Sequence, residues 1–94
     1  MSSDEQLSGK RIMDDLKKEG FSNIFSHTDS PGAYYPEHSH ANVTCHYVLH
    51  GEITITSGGN TRTFTRGERF DVPAGEIHTA VVGDQGCTYI LGEK

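Results

Sequence analysis

The stretch GAYYPEHSHANVTCHYVLHG, residues 32–51, decides how this chain is read, together with GERFDVPAGEIHTAVV at residues 67–82. Side chains alternate between the two faces of an extended strand, so His38 and His40, two apart, point the same way. Thr44 and His46 share that parity if no bulge intervenes, and Cys45 faces away from them. His78 follows the Pro73-Ala74-Gly75 turn, which aims it inward. Neutral imidazole suits Zn, Fe, Ni, Co and Cu, and three such ligands with open positions make a catalytic type of site. Gly51 and Gly67 are expected to end strands at sharp turns, and Gly75 to need a positive φ after Pro73.

Outward from this stretch the chain alternates short apolar runs with turn residues. Runs at 23–27, 33–35, 44–49, 52–56, 61–65, 69–72, 77–82 and 87–91, with the histidine segment from His38, predict about nine short strands. Their turns are Asp29-Ser30-Pro31-Gly32, Ser57-Gly58-Gly59-Asn60, Arg66-Gly67-Glu68 and Gly83-Asp84-Gln85-Gly86. Such spacing argues for an antiparallel sandwich or barrel. One helical pattern precedes them, from Leu7 to Glu19, with Ile12, Met13 and Leu16 on one face, Ser8 as N-cap and Gly20 just past the end. This N-terminal arm, residues 1–20, is expected to pack over one end of a barrel formed by residues 21–94.

The glycines and histidines together resemble the two motifs of the cupin family. The first, G-x5-H-x-H-x3,4-E-x6-G, is matched by Gly32, His38, His40, Thr44 and Gly51, with Thr44 in place of the glutamate. The second, G-x5-P-x-G-x2-H-x3-N, is matched by Gly67, Pro73, Gly75 and His78, with Val82 in place of the asparagine. The segment 52–66 between them has the short length seen in bacterial cupins, and the resemblance covers residues 21–92. It implies an all-β jelly-roll barrel (a double-stranded β-helix) with a short N-terminal α-helix. It also implies one divalent metal ion (Fe, Zn, Ni, Co or Cu) held by His38, His40 and His78. Some cupins, thiol dioxygenases among them, likewise keep three histidines without the glutamate. A fourth ligand is then His46, or Thr44 through a bound water.

The other candidates have plainer readings. His46 reads first as a pocket or core residue, His50 as an exposed turn residue, and His27 has no positional argument. Tyr34, Tyr35, Tyr47 and Tyr89 read first as strand filler; parity with His38 makes Tyr34 the one that could reach the pocket and donate a hydrogen bond to a ligand. Cys45 and Cys87 read as small buried thiols, Glu76 as solvent-exposed, and Arg62, Arg66 and Arg69 as a solvated hairpin.

Composition narrows the partners. With 8 Lys+Arg against 13 Asp+Glu and a formal charge of −5, the chain has no basic stripe for phosphates. Neither nucleic acid nor an anionic membrane is therefore expected as a partner. The first residues lack a secretory pattern, and two cysteines make no disulfide framework, which points to the cytoplasm. A short chain gains buried area by pairing, so a homodimer is expected. Function reads as a metal-dependent dioxygenase or isomerase acting on a small polar metabolite. The alternative is a non-enzymatic sensor or carrier barrel that binds a small molecule.

Overall fold

A computed structural model describes residues 8–94. Leu7, the expected first residue of the helix, and residues 1–7 of the arm lie outside the described residues. Helix α1 spans Gly9–Lys18 and buries Ile12 and Leu16. It ends where Gly20 takes φ 98°, a left-handed value that glycine accepts freely. There the amides of Gly20 and Phe21 donate to the carbonyls of Lys17 and Leu16, both at 3.0 Å, a Schellman closure. That closure turns Phe21 back beside Leu16, as the apolar pattern suggests.

Six strands follow: β1 Ser22–Asp29, β2 Tyr34–His38, β3 Thr44–Ser57, β4 Asn60–Thr65, β5 Arg69–Val72 and β6 His78–Glu93. The expected nine become six because glycines bend two strands here instead of ending them, while 33–35 and the segment from His38 join in β2 across Pro36. Gly51 has φ 77° and lies where the β3–β6 register shifts, so β3 runs through it as a bulged strand. A side chain at Gly51 would meet the Gly86 carbonyl oxygen at 1.9 Å. The two backbones touch there, and β6 likewise continues through residues 83–86.

The bends divide one ladder into two halves. The first half of β3 pairs with β5 and the second half of β6, which also pairs with β1. The second half of β3 pairs with β4 and the first half of β6, which also pairs with β2. The halves close face to face over a core that includes Val48, Ile53, Phe64, Phe70, Val82 and Cys87. Phe64 from one half and Phe70 from the other stack at 4.4 Å between centroids.

Helix α1 packs against the outside of this barrel, not over an end. Its apolar face joins Phe21, Cys45 and Ile90 in a second cluster, fed by the β3 residues of odd parity. Arg69 fastens it. The guanidinium donates to both carboxylate oxygens of Glu19 at 2.8 Å and to Asp71 at 3.0 and 3.1 Å. Arg69 is therefore a tether between barrel and helix and not part of a solvated hairpin. Among the described residues, no helix is long and apolar enough to cross a membrane.

Candidate metal centre

The antiparallel pairing of β2 with β6 sets His38 directly opposite His78. His40 lies just past the end of β2, so strand alternation alone does not orient it. A cross-link to the second turn does: the Gly75 amide donates to the His40 carbonyl at 2.8 Å, and Gly75 reaches that position with φ 79°. The three imidazoles converge, with centroids 5.0 Å apart for His38–His40, 4.2 Å for His38–His78 and 5.2 Å for His40–His78. Their ligating nitrogens all lie within 4.8 Å of one another.

Hydrogen bonds fix which nitrogen is free. His38 Nδ1 lies 2.8 Å from the Pro36 carbonyl oxygen, and His78 Nδ1 lies 3.0 Å from that of Glu76. A carbonyl only accepts, so each Nδ1 carries the proton and each neutral ring leaves its Nε2 lone pair available. Backbone partners of this kind orient metal-binding histidines and set their tautomer. Burial, and then the neighbouring His38 and His78, push the His40 pKa below its usual value, which favours the neutral, ligating form of that ring. This donor set fits one divalent ion with open positions.

The cluster forms one wall of a cavity of about 210 Å³ inside the barrel, whose other walls mix apolar side chains such as Ile53, Ile55 and Leu91 with His27, Tyr35, His46 and Tyr89. That volume is below the roughly 300–1,000 Å³ of drug-sized sites, so the cavity suits a small ligand.

His46 also lines this cavity, but it is not in the three-histidine group. Its ring lies flat on Phe70, 4.3 Å away with 6° between planes. Burial pushes its pKa down to about 4, and its Nδ1 is buried without a hydrogen-bond partner. Thr44 Oγ1 donates to the Asn42 carbonyl at 3.2 Å, and Thr44 lines a separate recess beside His40. Glu76 is exposed, outside the cavity. His50 is exposed as expected, although inside β3 and not in a turn. The two thiols are free, and they lie in different apolar clusters. Burial pushes Cys45 up to about 12 and Cys87 up to about 11, so neither supplies a thiolate at neutral pH.

The tyrosines of the cavity are not the one that parity favours, and the strand-filler reading holds for Tyr34 but not for Tyr35 and Tyr89. Tyr34 is 63% exposed, whereas Tyr35 lines the cavity. The β2–β6 register shifts between Tyr35 and His38, around Pro36, and that shift reverses the parity counted back from His38. Sequence reading also missed Asp29, which was assigned to a turn but is the buried last residue of β1, 8% exposed. The hydroxyls of Tyr35 and Tyr89 donate to its two carboxylate oxygens at 2.5 and 2.7 Å, and His27 Nε2 donates at 2.9 Å. Burial pushes the Asp29 pKa up, but the bonds from Tyr35, Tyr89 and His27 outweigh it and hold the carboxyl below its usual value. His27 and Asp29 carry the same two-residue spacing as His38 and His40, a signal visible in the sequence but not used. The contribution of Tyr89, 60 residues on, has no local signal.

Comparison with known proteins adds the family. The profile of the cupin domain family matches residues 25–91, while no relative is found among curated protein sequences. Solved structures share the architecture. A protein of unknown function from Rhizobium leguminosarum aligns with a TM-score of 0.70 at 24% identity, over 74% of this chain and 66% of that one. KdgF from a Halomonas species aligns with a TM-score of 0.66 at 24% identity, over 74% of this chain and 67% of the other. The DMSP lyase DddQ from Ruegeria pomeroyi aligns with a TM-score of 0.69 at 22% identity, over 76% of this chain but 36% of the lyase. The chain thus spans about two thirds of the first two proteins and about a third of the lyase, and at these identities the likeness is one of fold.

Proposed function

The chain belongs to the cupin family, and from that premise we propose that it holds one divalent metal ion on His38, His40 and His78 and acts there on a small polar metabolite, as a dioxygenase or isomerase. The observation that carries this reading is the trio of imidazoles, two with their Nδ1 protons committed to backbone carbonyls, converging on one cavity wall. A bound divalent ion would supply Lewis-acid polarisation of a ligand oxygen and, with three neutral ligands, keep its full positive charge. The protein contributes a fixed tautomer at His38 and His78, apolar contact from Ile53, Ile55, Ala80 and Leu91, and the tyrosine-lined wall beside His38. Tyr35 and His38 have ring centroids 6.1 Å apart, so one small ligand can meet both.

The absence of the motif glutamate favours a second reading, a carrier that binds and releases its ligand unchanged. Turnover of a metabolite panel by metal-loaded protein separates the two. The test of the site itself is metal content, by plasma mass spectrometry, of protein purified without chelator beside a His38→Ala, His78→Ala variant. Near-stoichiometric metal in the parent that is lost in the variant is the expected result. No metal in either, even after anaerobic loading, refutes the metal-dependent reading.

We further propose a homodimer through the outer face of the β2–β6–β3–β4 half. Side chains paired across neighbouring strands share a face. The rows Tyr34–Val81–Thr54–Thr63 and Thr79–Thr56–Thr61 therefore make an uncharged strip, bordered on the same face by exposed Glu52 opposite Thr65. Tyr34 and Val81 are 63% and 42% exposed in it. Two copies of a chain with charge −5 repel elsewhere, so this neutral strip is where they meet. Sedimentation equilibrium is expected to show a dimer that Val81→Arg dissociates; a monomeric parent at tens of micromolar refutes it.

A further inference from the structure

A second polar constellation in the cavity is distinct from the three imidazoles. Asp29 stands behind the wall, while Tyr35, Tyr89 and His27 form part of the wall itself. All three bonds to the carboxylate are made by their protons, from two tyrosine hydroxyls and one ring N–H. A tyrosine hydroxyl has one proton and two lone pairs. With both protons committed to Asp29, Tyr35 and Tyr89 have only lone pairs left to offer a ligand. The carboxylate behind them is anionic, and it polarises each O–H so that the oxygens become better acceptors. The bonds it accepts come from two neutral hydroxyls and from His27, which carries charge only when protonated.

We propose that Tyr35 and Tyr89, oriented by Asp29, form an acceptor subsite for a hydrogen-bond donor, an ammonium or hydroxyl group, on the same small ligand whose oxygens face the histidine wall. This rests on the proposed metal site for the oxygen end and is independent of it for the donor end. The ring of Tyr35 neighbours His38 at 6.1 Å, and that of Tyr89 neighbours His46 at 5.7 Å, so the two ends are a few bonds apart. The substrate class is accordingly a short oxyacid bearing an amino or hydroxyl group. Donor-free analogues are discriminated against because they leave buried acceptors unpaired. Tyr35 and Tyr89 are specificity-determining residues here, and Asp29 is a positioning residue.

The test uses matched probes: glycine, β-alanine and 4-aminobutyrate with their hydroxy counterparts, against acetate, propanoate and butyrate. Affinities are read from amide shifts of residues 27–35 and 87–91 in nuclear magnetic resonance titrations of both metal-free and zinc-loaded protein. At least one donor-bearing acid is expected to bind about tenfold or more tighter than the donor-free acid of its length. Tyr35→Phe and Tyr89→Phe are each expected to weaken binding of the donor-bearing acid more than that of the donor-free acid of its length, removing most of the preference. No preference for donors in any pair, or a preference that survives both substitutions, overturns the subsite. A protein that binds no zinc but keeps the tyrosine-dependent preference refutes the metal reading alone.

Discussion

His46 provides a measurement that depends chiefly on burial. The ring is 9% exposed, stacked on Phe70, and has an Nδ1 without a partner. Its pKa falls from 6.5 to about 4, first through burial and then through His40 and His78. A base whose folded pKa is lowered binds fewer protons folded than unfolded between the two values, so stability must rise with pH across that window. Above pH 6.5 the ring is neutral in both states and the contribution is whole; it is lost as pH falls toward 4. The window spans about 2.5 units at about 1.4 kcal/mol each, or about 3 kcal/mol in full. About 2 kcal/mol of this disappears between pH 7 and pH 5. The comparison is metal-free parent protein against His46→Phe, which keeps the stack on Phe70 and removes the titrating group. Urea unfolding at half-unit steps from pH 4.5 to 7.5 gives the difference in stability. That difference is expected to change by about 2 kcal/mol, in favour of the variant at low pH, or about 8–16 °C in Tm. Because an unpaired buried nitrogen costs about 1–3 kcal/mol, the variant is also expected to be no less stable at pH 7.5. A pH-independent difference between the two proteins refutes the burial argument for His46.

Three further substitutions test what holds the site in place. Gly51→Ala puts a side chain 1.9 Å from the Gly86 carbonyl oxygen at φ 77°, so a loss of at least about 3 kcal/mol in chemical denaturation is expected; a change under about 1 kcal/mol contradicts the backbone contact. Leu16→Ala removes a side chain 1% exposed under the helix and should cost about 2–5 kcal/mol, with the shifts of His38 and His78 in nuclear magnetic resonance spectra left where they were. Arg69→Leu breaks the fork to Glu19, whose carboxylate is 43% exposed, so solvent screening limits the expected loss to about 1 kcal/mol; hydrogen exchange in Gly9–Lys18 should quicken, and unchanged exchange there counts against the tether.

The fold class was legible because periodicity and glycine spacing are local signals, and so was the convergence of His38, His40 and His78. What failed was anything that required knowing how a glycine is used. A glycine at a strand end and a glycine at a bulge look identical in sequence, since both supply a positive φ; Gly51 and Gly86 were read as the first and serve as the second. A register shift beside Pro36 is a separate cause: it makes parity counted from His38 favour Tyr34 over Tyr35. Arg69 was invisible for another reason: its partner Glu19 lies 50 residues away, and an ion pair across that separation has no periodic trace.

These misreadings share a consequence for the cavity. A continuous β6 carries His78 at its first residue and Tyr89 eleven positions on, so one bent strand delivers both an imidazole of the three-histidine group and a tyrosine of the Asp29 network. Had β6 ended at Gly83, the two would be independent, and a ligand spanning them would find walls free to move apart. Strand continuity instead fixes their separation through backbone pairing with β3 on both sides of the bend. The contact of Gly51 with Gly86 then sets the bend angle, and with it the distance between the two ends of the site. On this argument a milder change at the bend than Gly51→Ala should act on ligand length before it acts on stability. Gly83→Ala would press on the flexible Glu52 side chain at 2.5 Å, not on backbone. It is expected to shift the preferred chain length among the amino acid probes while leaving zinc content intact. An unchanged length preference, with the fold retained, would mean that the bend does not determine the reach of the cavity.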